Sequence, residues 1–154
     1  MAFKMSRIST VYPALITQIE TIFTGKTRLH NPYTIEENPD LVRKNAWGIK
    51  VEEANREDQE FCDLSLSRQF TVVMLRQFVS LAGKENGFDV VTLALLEDQQ
   101  SLAMLLHSPN EIGQEQIIDI INVTSISGIQ ELKADEKKYL LCELTFTITI
   151  SELI

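Results

Sequence analysis

Catalysis and metal binding need nucleophiles, bases or ligands at fixed spacings, and this chain carries few of them. The two histidines, His30 and His107, stand alone, outside any zinc-binding spacing, and no nucleophile-and-base arrangement is recognisable. Cys62 and Cys142 form no Cys-x-x-Cys pair and are too few for a disulfide framework. We expect no catalytic residue, no metal site and no cofactor. Cys142 alternates with leucines, which indicates a small core residue.

Two further stretches resemble binding motifs, but both are incomplete. Gly25-Lys26-Thr27 lacks the upstream glycine of a phosphate-binding loop, and the preceding segment has the periodicity of a helix. The acidic stretch from Glu52 to Asp63 lacks the central glycine and the alternating oxygen ligands of a calcium loop. We interpret this stretch as a solvated connection between two elements.

Length and charge narrow the classes of partner. The 154 residues are enough for one domain with its own core, and they include 14 Lys and Arg against 22 Asp and Glu, a net charge of −8. Binding to phosphates depends on Lys and Arg, so an acidic domain is a poor candidate for binding nucleic acid. No run approaches the ~18 apolar residues of a membrane span, and the first residues lack the apolar segment of a signal peptide. We expect a soluble cytosolic protein without membrane contact.

Apolar spacing predicts the elements that would position any site. Apolar residues recur at helical spacing over residues 8–23. Pro13 belongs in a first turn, so this helix should begin near residues 10–12 and end at Gly25. Periodicity then disappears over residues 26–44, where two Asn-Pro pairs favour a loop. A second helix is predicted over residues 89–107, with Asp89 as its cap and with Glu97, Asp98 and Gln99 facing outward.

Alternating patterns predict four strands. Their ranges are 46–52, 64–79, 117–126 and 140–151, and the last has the clearest period of two, with Leu144, Phe146 and Ile148 on its buried face. The order is α-β-β-α-β-β. It indicates an α+β fold in a single domain spanning residues 1–154, with a mostly antiparallel or mixed four-stranded sheet and helices packed on one face.

Two arginines interrupt the apolar face of the long strand. Arg68 and Arg76 are eight residues apart, so both side chains should project from the same face. One interpretation is a pair of edge or surface arginines whose aliphatic stems lie along the sheet. The other is a contact with another subunit, because arginine is enriched at protein interfaces.

Five segments follow one another in a distinctive order. They are the N-terminal helix, the Asn-Pro-Tyr…Glu-Glu-Asn-Pro loop of residues 31–39, the strand with Trp47-Gly48-Ile49-Lys50-Val51, the strand with Ser67-Arg68-Gln69-Phe70-Thr71-Val72-Val73-Met74, and the alternating last strand. This order resembles that of the tail terminator (tail completion) proteins of long-tailed bacteriophages. The resemblance runs from about residue 11 to residue 153 and rests on segment order and strand character.

The resemblance implies a function in virus assembly rather than an enzyme. Proteins of this family form a hexameric ring on the finished tail tube, stop polymerisation of the tube and present the surface that joins the head. The implied partners are further copies of the chain, the tail tube protein and the head-neck connector protein, and DNA would pass through the ring without specific binding. The implied location is the tail of the virion, assembled in the host cytoplasm.

Basic side chains are the candidate contacts of such a ring with a neighbouring subunit or the tube. They are Arg68, Arg76, Lys26, Arg28, Arg43 and Lys44. The last four belong to the 26–44 loop and could line the bore of the ring. Two other classes of protein remain open: another head–tail connector, or a small cytosolic ligand-binding domain that forms an oligomer. An enzyme that uses scattered carboxylates has no paired constellation to support it.

Overall fold

The computed structural model describes residues 7–29, 45–58, 63–79, 87–107, 109–114, 117–134 and 137–153. In this part of the chain, helices pack on one face of a mixed six-stranded sheet. The elements are α1 (Ile8–Ile22), β1 (Thr27–Arg28), β2 (Asn45–Asp58), β3 (Asp63–Phe78), α2 (Phe88–Leu105), α3 (Pro109–Ile112), β4 (Ile118–Ile126), β5 (Gln130–Ala134) and β6 (Lys137–Leu153).

The strands lie in the order β1-β2-β3-β6-β4, and β5 pairs with β6 as well. β1 is parallel to β2, and the other pairings are antiparallel. The predicted α+β class and mixed sheet are confirmed. The predicted four-stranded order was wrong, because β1 and β5 have only two and five residues and are too short to show a period.

β3 and β6 form the centre of the sheet, and their alternation places large side chains under the helices. Phe70 and Phe146 are opposite each other, with ring centroids 5.5 Å apart. Leu144, Phe146 and Ile148 are each 0% exposed, as the alternation in the sequence predicts. Cys142 and Trp47 belong to the same core, and the core position of Cys142 is as predicted.

β2 is longer than the predicted strand over residues 46–52. It continues to Asp58, through residues that were interpreted as a solvated connection. The register with β3 shifts between Val51 and Ala54, where β2 carries a bulge. Beyond the bulge the residues 53–58 are polar except for Ala54, so the second half of this strand has no hydrophobic alternation to read.

α1 begins at Ile8, earlier than predicted, and Pro13 lies inside the helix rather than in its first turn. Pro13 is exposed, so its ring takes no place in the core, and a proline costs the helix one backbone hydrogen bond. Gly25, with a φ of 89°, follows the helix end, as predicted. The predicted 26–44 loop instead begins with β1, and the buried Leu29 follows that strand. Its residues 30–44 lie outside the described ranges.

The opposite face of the sheet carries a second, smaller apolar cluster. Its buried members come from the 26–29 segment and from strands β2, β3 and β6: Leu29, Ala46, Val73, Leu75, Tyr139 and Leu141. Further along the same face the pairs are hydroxylic, with Ser67 Oγ 2.7 Å from Thr149 Oγ1 and Thr71 Oγ1 3.0 Å from Thr145 Oγ1. This face is therefore apolar at one end and polar at the other.

Candidate functional site

α2 brings polar side chains into the interior at positions that were predicted to face outward. Asp98 side-chain atoms are 16% exposed, and Gln99 is 6% exposed. The Gln99 amide donates to the carbonyl oxygens of Ser127 and Glu143, at 3.1 and 2.9 Å. It therefore ties α2 to the β4–β5 connection and to β6. The N-cap of α2 is Gly87, not Asp89, which lies in the first turn of the helix.

Asp98 is the centre of a charged cluster, which we define as Lys26, Arg76 and Asp98. Lys26 Nζ lies 2.7 Å from Asp98 Oδ2, and Arg76 donates through Nε and Nη2 to Asp98 Oδ2, both at 3.2 Å. Lys26 also donates to Asn45 Oδ1 and lies 5.4 Å from the Phe23 ring centroid. One carboxylate thus balances two cations inside the domain.

Burial perturbs two groups at this cluster. Desolvation lowers the pKa of Lys26 from 10.5, and the nearby Asp98 carboxylate only partly offsets it. Desolvation, with a smaller contribution from Asp98, raises the pKa of Cys142 to about 12. Cys142 is therefore a neutral thiol in the core and a poor nucleophile.

The six candidate contact residues fall into different environments. Lys26 and Arg76 belong to the charged cluster, so the chain itself supplies their carboxylate. Arg28 is a surface side chain, 5.4 Å from the Trp47 ring and 3.6 Å from a Glu20 carboxylate oxygen. Arg43 and Lys44 lie outside the described residues. Arg68 is half-buried, and within the described part of the chain its side chain has no ion pair or hydrogen bond.

Arg68 lines an open apolar groove beside the N-terminal half of α1, which we call the α1–β3 groove. The groove has a volume of about 500 Å³, and its walls are Ile8, Ser9, Tyr12, Pro13, Val51, Arg68 and Phe70. Tyr12 stacks on Phe70 with ring centroids 6.1 Å apart, and Val51 is 50% exposed. Arg68 is the one cationic side chain among these walls. Arg68 and Arg76 share a strand face, as predicted, but only Arg76 has its counter-ion in the described structure.

A second apolar surface lies on α2, on the side turned away from the sheet. Val90, Leu93, Leu96 and Met104 are 50%, 58%, 48% and 65% exposed, and we call this surface the outer face of α2. Val90, Leu93 and Leu96 follow one another at a spacing of three residues, and Met104 lies eight residues beyond Leu96, about two turns later, so all four are on one side of the helix. A helix with apolar residues on both sides is typical of one that is covered on both sides.

The histidine and carboxylate positions of the described ranges do not assemble a metal site. His107 is exposed beside Glu111, in a depression of about 340 Å³. Among the described residues, no three His, Cys, Asp or Glu side chains are placed to hold a metal ion. In the same part of the chain, no helix is long and apolar enough to span a membrane. His30 and Cys62 lie outside the described ranges.

No family model matches the chain, and no curated protein matches its sequence. Sequence reasoning missed Asp98 and the outer face of α2. The signal for Asp98 was available, because it lies three and four residues from the buried Leu95 and Leu102, on the inner side of the helix.

Proposed function

We propose that the protein is a structural subunit of a long-tailed bacteriophage that caps the end of the tail tube as a ring. The resemblance in segment order supplies the family, and a hexamer is the assembly that it implies. The ring would stop tube polymerisation and offer the surface to which the head-neck connector binds. The protein would reside in the tail of the virion after assembly in the host cytoplasm.

One observation carries this proposal beyond the resemblance. The domain exposes two different apolar surfaces, the outer face of α2 and the α1–β3 groove. A closed ring needs head-to-tail contacts, in which one patch of a subunit meets a different patch of its neighbour. A lone domain rarely leaves apolar side chains clustered in water, so such surfaces are typical of interfaces.

Charge is consistent with a bore that passes DNA. The chain has a net charge of −8, and a ring multiplies that charge by its number of subunits. An acidic surface repels the phosphate backbone, so the genome would pass without being held.

Deletion of the gene from the phage that encodes it tests the proposal. Electron microscopy of lysates should show overlong tails without heads, and expression of the wild-type chain in trans should restore normal tails. Tails of normal length without heads would assign the protein to another connector and contradict tube capping. Normal tails joined to heads would exclude both functions and favour the ligand-binding alternative.

A further inference from the structure

The outer face of α2 is acidic as well as apolar. Asp89 and Glu97 are exposed, and they lie four residues before and after Leu93, one turn away on the same side of the helix. The sequence of α2 contains no Lys or Arg. A surface that covers this face must therefore supply both apolar contact and positive charge.

The α1–β3 groove has these complementary properties. Tyr12, Val51 and Phe70 provide an apolar floor, and Arg68 provides a cation that has no carboxylate partner among the described residues. The groove is concave, whereas an exposed helix face is convex. Arginine also suits an interface, since its planar guanidinium can bind a carboxylate through two parallel hydrogen bonds.

A symmetric pairing of α2 with its own copy is disfavoured by charge. A two-fold contact places the same patch on both sides of the interface. It would bring the Asp89 and Glu97 carboxylates of one copy towards those of the other, with no basic residue on either helix to compensate. Like charges placed together at an interface are unfavourable. The groove avoids this repulsion.

We infer that the outer face of α2 of one subunit binds in the α1–β3 groove of the next, with Leu93 in the apolar part and Glu97 paired with Arg68. This inference rests on the proposed ring and names its subunit contact. The contact joins different patches, so each subunit keeps one free α2 face and one free groove until the ring closes.

Two single variants and their mixture test the contact on the full-length chain. Leu93→Glu disables the α2 face and leaves the groove, whereas Val51→Glu disables the groove and leaves the α2 face. Each variant alone should self-associate at least about tenfold more weakly than wild type in analytical ultracentrifugation, as expected for a central interface residue. An equimolar mixture should form a dimer and nothing larger, because only one competent pair of surfaces remains.

Ile120→Glu is the matched control. Ile120 is an exposed apolar residue of β4, 60% exposed and outside both surfaces, so this variant should associate like wild type. Circular dichroism of every variant checks the fold. The charge-reversed pair gives a second measurement: Arg68→Glu and Glu97→Arg should each weaken association, and the double variant should recover it.

The inference would be overturned by a wild-type chain that stays monomeric, by variants that associate normally, or by a mixture that remains monomeric. If the single variants lose association and the charge-reversed double variant does not recover it, Arg68 and Glu97 are not paired in the contact. These outcomes are distinct from failure of the proposed function. If the variants show that this contact builds the ring, but tails form normally without the protein, the interface holds and the capping function is rejected. If tails require the protein, but Leu93→Glu still forms a ring, only the interface is rejected.

Discussion

Lys26 Nζ lies 2.7 Å from Asp98 Oδ2, and the lysine side chain is only 2% exposed. This contact joins the segment that follows α1 to the inner side of α2. Removing one member of a buried ion pair leaves the other charge without compensation, which costs about 3–5 kcal/mol. Asp98→Ala should therefore lower the free energy of unfolding by about that amount, since it leaves both Lys26 and Arg76 without their counter-ion.

Glu97→Ala is the control for this prediction, because Glu97 is the exposed neighbour of Asp98 on the same helix. It should change the unfolding free energy of the subunit by less than about 0.5 kcal/mol. Urea denaturation of both variants measures the difference. Equal losses in the two would contradict the central position of Asp98.

The lowered pKa of Lys26 predicts a pH dependence of stability. Burial of the ammonium places the folded-state pKa below 10.5, so over the interval up to 10.5 the unfolded chain binds more protons than the folded one. The contribution of Lys26 to the unfolding free energy must then rise with pH in that interval. We therefore expect the unfolding free energy of wild type, relative to that of Lys26→Met, to increase with pH when both are denatured at several alkaline pH values. A constant difference would refute the perturbed lysine.

Cys142 should behave as a protected thiol. Its pKa of about 12 and its complete burial leave almost no thiolate at neutral pH and no access for a reagent. In a Cys62→Ser background, labelling by a thiol reagent should be slow in the folded protein and rapid in denaturant. Because the folded-state pKa is raised above 9.0, stability should also fall as the pH rises from 9.0 towards 12. Rapid labelling without denaturant would show an open core.

Arg68 and Arg76 should respond differently to the same substitution. Arg76→Glu places a carboxylate beside Asp98 and removes its hydrogen bonds, so it should destabilise the subunit by about 2–3 kcal/mol. Arg68→Glu breaks no side-chain ion pair or hydrogen bond within the described structure and should leave a folded subunit that fails to assemble. Thermal unfolding measures the first effect, and electron microscopy of tails measures the second. If the Arg76→Glu subunit folds with unchanged stability, Arg76 does not stabilise the subunit and is again a candidate intersubunit contact.

Phe146→Ala should be among the most destabilising substitutions in β6. Phe146 is 0% exposed and stacks on Phe70 in the centre of the sheet. Loss of a buried phenylalanine costs about 3–5 kcal/mol. Thr147→Ala, on the other face of the same strand, should cost much less, because Thr147 is only half-buried. Chemical denaturation that finds a loss within error for Phe146→Ala would contradict its position in the core.

The predictability of each element follows from how continuously one face is buried. β6 lies between β3 on one side and β4 and β5 on the other, so its alternation is uninterrupted and the sequence predicts it well. β2 is polar beyond the bulge near Val51 except at Ala54, so it shows no hydrophobic period there, and a short edge strand such as β5 has too few residues to show one.

The interior position of Asp98 depends on partners far away in the sequence. Asp98 is stable inside the domain because Lys26 and Arg76 approach it from other elements, and a single helix contains no sign of those partners. Its charge therefore led to its assignment to the outside, although its spacing from Leu95 and Leu102 places it on the inner side of the helix. The same limit applies to the α1–β3 groove, whose members come close only after β2, β3 and α1 have packed.

β6 follows every strand that it joins in chain order, although it occupies the middle of the sheet. On the ribosome, β3 therefore emerges without the neighbour that later covers one of its edges. Translation of the stretch from Phe78 to Lys137 takes on the order of several seconds at about 5–20 residues per second. Throughout that interval the nascent chain displays a long strand with apolar side chains on both faces. Newly made copies on one polysome are thus prone to aggregate through β3. The yield of folded protein in the host should depend on chaperones that shield this strand until β6 has been translated.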